Sequence, residues 1–233
     1  MKGIKLMLAL FLVSNLLMAM SANEVLCGKN ETERVKACVR VLSEIMSGSQ
    51  GKAPVYLLSH SNGIVILPGI KKAAFIIGAK RGKGVIVIRK NGKWLPPSFI
   101  TISGGSLGFQ AGAKSSDVVL IIMTKEGVKR FKSNELRLGV DIGITAGPVG
   151  KETGISSEDL YKVDMYSYVK EKGIFAGVNL SGSIITHDND SNLRFYEKEI
   201  TLVDILDGKL KSKDVPEIAK KLISTLDRYC KNK

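Results

Sequence analysis

The residues best suited to chemistry in this sequence are cations gathered in one stretch. Residues 45–116 contain no aspartate or glutamate, and they supply +10 of the chain's formal net charge of +13. The ten cations are Lys52, Lys71, Lys72, Lys80, Arg81, Lys83, Arg89, Lys90, Lys93 and Lys114. The stretch is also rich in glycine and β-branched apolar residues, so we expect it to fold as strands. A folded surface of one sign indicates anionic partners.

Residues 78–84, with the sequence GAKRGKG, are similar to a phosphate-binding loop of nucleotide hydrolases. Such a loop needs four residues between its first glycine and its Gly-Lys pair, and this one has three. No serine or threonine follows Lys83, and a predicted strand follows where the loop needs a helix. The pattern argues against nucleotide hydrolysis. A basic glycine turn that offers lysines and backbone N–H groups to a phosphate stays open.

A second motif, Asp188-x-Asp190-x-Asn192 with Glu199 at its twelfth position, is similar to a calcium-binding loop. A calcium loop needs glycine at the sixth position for its turn, and here that position is Leu193. A predicted strand precedes the motif where a calcium loop follows a helix. We therefore interpret these residues as an acidic surface turn and predict no metal site.

Residues that could catalyse a reaction are few. The two histidines, His60 and His187, lie outside any nucleophile motif, and no Gly-x-Ser-x-Gly sequence occurs. Cys27, Cys38 and Cys230 form no C-x-x-C pair, although two of them could form a disulfide in an oxidising compartment. Cys38 lies on the apolar face of a predicted helix, which favours core packing. We predict a protein that is not an enzyme and has no cofactor.

Helical periodicity marks both ends of the chain. The N-terminal helix begins near Asn30 and Glu33, and apolar residues recur at helical spacing through Met46. Its opposite face carries Arg34, Lys36 and Arg40. Such a helix either lies on a membrane surface or covers a core, and we favour the core. A C-terminal amphipathic helix begins where Asp214 and Glu217 flank Pro216.

Between these helices the pattern is that of strands. Residues 64–67, 73–78 and 84–89 are short apolar runs, and Asn91-Gly92 indicates a hairpin turn. Three later segments alternate with a period of two and have a glycine-rich face: residues 106–113, 139–147 and 174–181. Repeated glycine within strands indicates sharp curvature or close backbone approach. The predicted fold class is α+β, a strongly curved or barrel-like antiparallel sheet with N-terminal and C-terminal amphipathic helices packed against it.

The N-terminus is typical of a secretory signal. Lys2 and Lys5 precede an apolar run over residues 6–20, and Met20-Ser21-Ala22 offers a small-residue cleavage site. We predict a signal peptide over residues 1–22 and one domain over residues 23–233, located in the periplasm or secreted. An uncleaved membrane-tethering helix is the alternative, although the run is short for a bilayer span.

Eight segments, in order, resemble the SYLF domain, a lipid-binding domain of yeast actin-patch proteins, animal relatives and exported bacterial proteins. They are residues 63–68 (GIVILP), 78–85 (GAKRGKGV), 94–97 (WLPP), 104–112 (GGSLGFQAG), 146–150 (AGPVG), 166–168 (YSY), 172–177 (KGIFAG) and 180–183 (LSGS). The resemblance implies an α+β domain with a curved sheet, binding of phosphoinositides or other acidic lipids, and no catalysis. It also implies a lipid-binding role for a basic N-terminal helix, which by position is the helix of Arg34, Lys36 and Arg40.

We therefore expect an exported, peripherally membrane-associated protein that binds acidic phospholipid head groups. Cations near an anionic surface contribute about 1 kcal/mol each. The predicted contacts are Lys71, Lys72, Lys80, Arg81, Lys83, Arg89, Lys90 and Lys93. One alternative is that these cations form two ordinary solvated strand faces. Another is an envelope interaction module that binds an acidic protein partner, whereas export and few aromatic residues argue against nucleic acid.

Overall fold

The computed structural model describes residues 31–48, 52–74, 77–107, 112–148, 159–171 and 173–231. The predicted signal peptide and Cys27 lie outside these residues. Among the described residues, no helix is both long enough and apolar enough to span a bilayer.

Two helices precede the first strand, one short helix lies between the fifth and sixth strands, and the remaining helices follow the last strand. They are α1 (Glu31–Ser47), α2 (Lys52–His60), α3 (Lys125–Arg130), α4 (Asn189–Tyr196), α5 (Leu202–Asp207), a short 3-10 helix (Ser212–Asp214) and α6 (Glu217–Lys231). Thr201 and Asp204 close the start of α5 with a reciprocal capping box, and Gly208 ends it in the left-handed conformation. These caps satisfy backbone groups that a six-residue helix cannot pair internally.

The strands form one sheet within the described residues. They are β1 (Gly63–Ala74), β2 (Ile77–Lys90), β3 (Lys93–Trp94), β4 (Ser98–Leu107), β5 (Gly112–Ile122), β6 (Glu135–Arg137), β7 (Ile144–Ala146), β8 (Met165–Glu171), β9 (Ile174–Gly177) and β10 (Ser183–His187). Their order is β6-β10-β4-β2-β1-β5-β8-β7, while β3 pairs with β2 and β9 with β8. The pair β7–β8 is parallel and the other pairs are antiparallel.

Close backbone approach explains the glycines in β2. A Cβ at Gly84 would lie 2.1 Å from the carbonyl oxygen of Ile66, and one at Gly82 would lie 2.7 Å from the Ile70 side chain. The register of β1 shifts between Leu67 and Ile70, where Gly69 has a φ of +63°. A bulge and side-chain-free positions bend the sheet here. The predicted α+β fold with a strongly curved antiparallel sheet and terminal helices is confirmed.

Both faces of the sheet are buried along the first part of β1 and the last part of β2. On one face, called the helical face below, Ile66, Val85 and Val119 pack with α1, α2 and α6. On the other face, Val65, Ile86 and residues of α5 form a second core cluster. Full burial of such an aliphatic side chain contributes about 1.5–3 kcal/mol relative to exposure. These two clusters hold the sheet in its curved form.

The N-terminal helix α1 packs on the core, as predicted in preference to a position on a membrane surface. Val35, Leu42 and Ile45 are buried under the sheet's helical face. Cys38 is fully buried, and its thiol donates to the carbonyl of Ile66. Burial raises the pKa of this thiol to about 12, so Cys38 is an inert core residue, as predicted. The predicted Asn91-Gly92 turn is also confirmed, with φ of 51° and 77°.

Two of the predicted alternating segments are only partly strand. Over residues 139–147, only Ile144–Ala146 is a strand. Gly139 has a φ of +83° and donates to the Ile142 carbonyl, which closes a turn. The Asp141 carboxylate accepts the backbone N–H of Arg137 and holds that turn. In the segment 174–181 the strand ends at Gly177, and residues 108–111 of the first segment lie outside the described residues.

Candidate anion-binding surface

Two predicted contacts stand directly opposite one another on the helical face of the sheet. Lys71 on β1 is the register partner of Arg81 on β2, and both are exposed. Ser115 on β5 and Ser103 on β4 are the next partners on either side. Two adjacent cations flanked by two hydroxyl groups form a row that suits a phosphate, because guanidinium, ammonium and hydroxyl groups all donate to its oxygens.

Lys80 of β2 lies on the opposite face, one residue further along the strand. Lys80 is the partner of position 72, and position 72 is in turn the partner of position 114, so three lysines occupy neighbouring strands. Lys80 also pairs with Gly104. A Cβ at Gly104 would lie 2.9 Å from Cε of Lys80, which shows that the lysine side chain runs across this glycine. Lys71, Lys72, Lys80 and Arg81 are called the sheet-end cations below.

Lys83 also lies on the helical face, but its ammonium group pairs with an acid within the protein. Its Nζ is 3.2 Å from Oδ2 of Asp188, and NH1 of Arg34 lies 3.6 Å from the same oxygen. The Asp188 side chain is 9% exposed and that of Arg34 is 8% exposed. Arg34 also donates to Ser191 and stacks over the ring of Phe99. Lys83, whose side chain is 31% exposed, therefore completes an ionic cluster that joins α1, α4 and β2 and whose other members are nearly buried.

The pKa of Asp188 reports this environment. Burial by itself raises the pKa of a carboxyl group, yet the pKa of Asp188 lies below its ordinary value. The backbone N–H of Ser191 donates to its Oδ1, and the charges of Lys83 and Arg34 favour the ionised form. Asp188 is also the N-cap of α4, with its charge at the helix N-terminus. The predicted acidic surface turn is thus wrong, since this acid caps a helix and is nearly buried.

The three remaining predicted contacts lie at the other end of β2. NH1 of Arg89 donates to the carbonyl of Ser59, and its guanidinium stacks over Trp94 at 5.6 Å. Lys90 Nζ donates to the carbonyl of Asp207 at 2.9 Å, and exposed Lys93 stands opposite Lys90. Arg89 and Lys90 thus attach this end of β2 to α2 and α5. The eight residues predicted as one surface fall into three groups.

The basic face of α1 is neutralised locally. Lys36 pairs with Glu33 at 2.6 Å. Arg40 lies 3.0 Å from Glu44 and 3.7 Å from Asp117 on β5. With Arg34 held by Asp188, each cation that the SYLF resemblance assigns to lipid contact in this helix has an acidic neighbour.

The glycine–lysine segment 78–84 is not a turn. It runs within β2, and residues of this segment pair with β1 on one side and β4 on the other. Its backbone donors are therefore directed into the sheet, and the hypothesis of a phosphate-cradling backbone turn is wrong. Its cations, by contrast, project from the two faces of a strand. Within the described part of the chain, no group of three or more histidine, cysteine or acidic residues could hold a metal ion.

The partner of Lys83 was missed in the sequence because Asp188 lies far away along the chain. No local spacing links a lysine in β2 to an acid after β10. The only signal was the acid's position directly after an alternating strand and before a helix start, which is typical of an N-cap. The helices α4 and α5 were not predicted either.

An α+β domain with a curved antiparallel sheet and a basic end is the class of protein that these features define. A family model described as "Ysc84: Las17-binding protein actin regulator" matches residues 103–229, more than half of the chain. The chain therefore belongs to the Ysc84 family, and its predicted membership among SYLF domains is confirmed.

Similar proteins are found in animals and yeast. "SH3 domain-containing YSC84-like protein 1" of Homo sapiens is 33% identical over 205 residues, which cover 86% of this chain and 59% of that protein. The Bos taurus protein of the same name is 32% identical with the same coverage. "Protein YSC84" of Saccharomyces cerevisiae is 33% identical over 85% of this chain and 43% of its own length. The chain thus spans less than two thirds of these relatives.

Proposed function

We propose that this chain is an exported, peripherally membrane-associated protein that binds acidic phospholipid head groups through its sheet-end cations, without catalysis. The observation that carries the proposal is the direct opposition of like charges. Lys71 opposes Arg81 and position 72 opposes Lys80, whereas the outer register partners are serine, glycine or another lysine. Like charges placed directly opposite one another in a sheet are destabilising. A head-group phosphate bound between Lys71 and Arg81 would offset that repulsion.

The contrast with the other cations supports the choice of site. Lys83 and Arg34 are held by Asp188, and Lys36 and Arg40 by acids of α1 and β5. The sheet-end cations lie in the acid-free part of the sequence, and Lys71 and Arg81 are exposed.

The family relationship agrees with a protein that acts by binding. The family description names binding of Las17 and regulation of actin, and the relatives' names include SH3 domains. A non-catalytic interaction module fits both descriptions. The lipid surface is our proposal for this chain, because the predicted leader would bring it to a membrane, where acidic phospholipids attract basic residues.

The test is flotation of residues 23–233 with vesicles of phosphatidylcholine alone and of equal parts phosphatidylcholine and phosphatidylglycerol. We expect binding to the acidic vesicles only. This binding should weaken with added salt, because the Debye screening length falls from about 10 Å at 0.1 M to about 3 Å at 1 M. At about 1 kcal/mol per cation, the variant K71Q/K72Q/K80Q/R81Q should lose roughly a thousandfold in affinity.

A matched variant controls for net charge. K211Q/K213Q/K220Q/K221Q removes the same number of cations, all four of them exposed, from the segment around the start of α6. It should keep most of the binding to acidic vesicles. Equal losses in the two variants would mean that only total charge matters, and would reject the site. Absence of flotation with every vesicle would reject the proposed function.

An acidic protein partner is the second candidate, favoured by the family description, which names a protein that is bound. A row of cations flanked by serines would also accept carboxylates. Polyglutamate is a suitable probe. Salt-sensitive binding of polyglutamate without binding to acidic vesicles would favour this candidate over the lipid surface.

A further inference from the structure

Two edge strands of the sheet carry different kinds of residue. β6, at one end of the strand order, has exposed Glu135 and Arg137 on either side of buried Leu136, and the two charged side chains pair at 2.9 Å. Among the described strands, β9 pairs with β8 alone, and its exposed residues are Ile174 and Ala176. Charged side chains commonly protect an edge strand against pairing with another chain. β6 has that protection, whereas β9 is apolar.

The uncharged stretch extends from β9 through β10. Residues 173–186 contain no acidic, basic or histidine residue, in a chain whose formal net charge is +13. Ile174 is 66% exposed, and Val178, directly after the strand, is 39% exposed. In an antiparallel pair, residues that exchange backbone hydrogen bonds with the partner strand alternate with residues that do not. Every second residue of β9 therefore directs its backbone N–H and C=O groups away from β8, toward the edge.

A groove of about 430 Å³ lies beside this edge, on the helical face of the sheet. Its lining includes Tyr168 and Lys170 of β8, Phe175 of β9, Ile45 near the end of α1 and Pro54 in the first turn of α2. This volume lies within the range of about 300–1,000 Å³ that is usual for ligand sites. Because Phe175 belongs to β9, the groove adjoins the apolar edge.

The contacts that the groove offers are mainly apolar. The ammonium group of Lys170 pairs with Glu44 of α1 and lies 5.7 Å from the centroid of the Phe175 ring. The cation is thus already satisfied within the protein. On the other face of β9, Ala176 opposes Val169, a member of the second core cluster, so Ala176 and Ile174 face away from the helices. Both faces of the edge are apolar.

We propose that β9 is a docking edge for an extended segment of another protein, which adds a strand to the sheet. Since side chains alternate along a strand, every second side chain of the segment enters the groove beside Phe175, and the others lie next to Ile174 and Ala176. The segment that fits is apolar in its centre. Acidic residues flank it, because the net charge of +13 attracts acids. This inference goes beyond the proposed function and uses none of the sheet-end cations.

Two other occupants fit the edge less well. An acyl chain would cover the N–H and C=O groups of the edge without pairing them, which costs free energy. A second copy of this chain would bring another net charge of +13 to the same surface. An extended peptide with acidic flanks pairs the backbone groups and complements the charge.

Fluorescence anisotropy of a labelled synthetic peptide tests the inference. The peptide alternates valine and threonine over six residues and carries two glutamates at each end. Two control peptides have the same side chains, with N-methyl groups on the odd or on the even backbone nitrogens of the central residues. An added strand pairs with β9 through one set of alternate N–H groups. We therefore expect the unmethylated peptide to bind, one methylated peptide to lose binding and the other to keep it. Equal binding of all three would reject strand pairing.

A matched pair of variants locates the site. Ile174→Ser removes an apolar side chain from the edge without changing charge, and Leu193→Ser does the same on α4, where Leu193 is 47% exposed. We expect I174S to bind the peptide about tenfold more weakly, because an isoleucine contact is lost. L193S should bind it as the unsubstituted protein does. Equal affinities of the two variants would reject β9 as the site.

The remaining outcomes identify a different occupant or none. If the unsubstituted protein does not bind the unmethylated peptide at millimolar concentration, the inference is rejected. A dimer seen by sedimentation of the protein alone, and dissociated by I174S, would assign the edge to a second copy. A peptide with lysines in place of glutamates that binds equally well would reject the acidic flanks.

Flotation with acidic vesicles separates this inference from the proposed function. I174S should float as the unsubstituted protein does, because the sheet-end cations are intact. Loss of flotation in I174S alone would assign the β9 edge to the bilayer and overturn the peptide partner. If neither protein floats but the peptide binds, the proposed function fails and the docking edge stands.

Discussion

Two basic regions of this protein differ in what surrounds each charge. In the cluster of Arg34, Lys83 and Asp188, two cations from α1 and β2 meet one acid, and Arg34 and Asp188 are nearly buried. At the sheet end, Lys71 and Arg81 stand side by side in solvent with serines next to them. Arg34 and Lys83 share an acid inside the protein and stabilise the fold, whereas Lys71 and Arg81 face each other across two strands, where like charges repel. The surroundings, and not the number of charges, separate structural cations from a candidate site.

Asp188→Asn is the substitution expected to destabilise the cluster of Arg34, Lys83 and Asp188 most. Asparagine keeps the N-cap of α4 but removes the charge that Arg34 and Lys83 share. Removing one partner of a buried ion pair leaves an uncompensated charge and costs about 3–5 kcal/mol. We expect a loss near the lower end of that range in the free energy of unfolding, measured by urea denaturation.

Asp190→Asn is the control, since Asp190 is exposed in the first turn of the same helix. It should change the unfolding free energy little. Because the pKa of Asp188 is lowered in the folded protein, its contribution is present above about pH 3.9, the usual carboxyl value, and is lost as pH falls through the folded pKa. The difference in unfolding free energy between the unsubstituted protein and D188N should therefore disappear below about pH 4. If the two proteins have the same unfolding free energy at neutral pH, the structural role of the cluster is contradicted.

The covered and open parts of the sheet can be compared with two glycine substitutions. Gly84→Ala places a Cβ 2.1 Å from the Ile66 carbonyl, whereas Gly105→Ala places one in open space. Overpacking of this kind typically costs about 1–3 kcal/mol. We expect G84A to lower the thermal midpoint by several degrees and G105A to leave it nearly unchanged. Equal effects would mean that the sheet end is as tightly packed as the core.

The smallest expected change in stability tests the opposed cations at the sheet end directly. Lys71→Gln removes one member of an opposed cation pair, so in the absence of lipid it should raise the free energy of unfolding by about 0.2–1 kcal/mol. Lys36→Gln removes an exposed cation paired with Glu33 and should leave stability the same or slightly lower. Matched urea titrations at low salt measure both. If K71Q is instead destabilised, the opposed charges are not a source of repulsion in the free protein.

Much of the fold could be predicted from local patterns. The apolar spacing of α1 and α6, the β-branched runs of β1 and β2 and the Asn91-Gly92 turn depend on neighbours within a few residues. The segment 139–147 was predicted as a strand because its apolar residues alternate with a period of two. In the structure, Gly139 and the Asp141 carboxylate instead close a turn that exposes Val140. An alternating pattern does not reveal which glycine takes a positive φ.

The concentration of positive charge in an acid-free, strand-forming segment was determined by the sequence alone, because charge and β-propensity are properties of the residues themselves. Tertiary structure decided which of those charges face one another. Register placed Arg81 opposite Lys71, and the end of β10 brought Asp188 to Lys83. Both outcomes depend on contacts between residues distant in the chain, which no local spacing encodes.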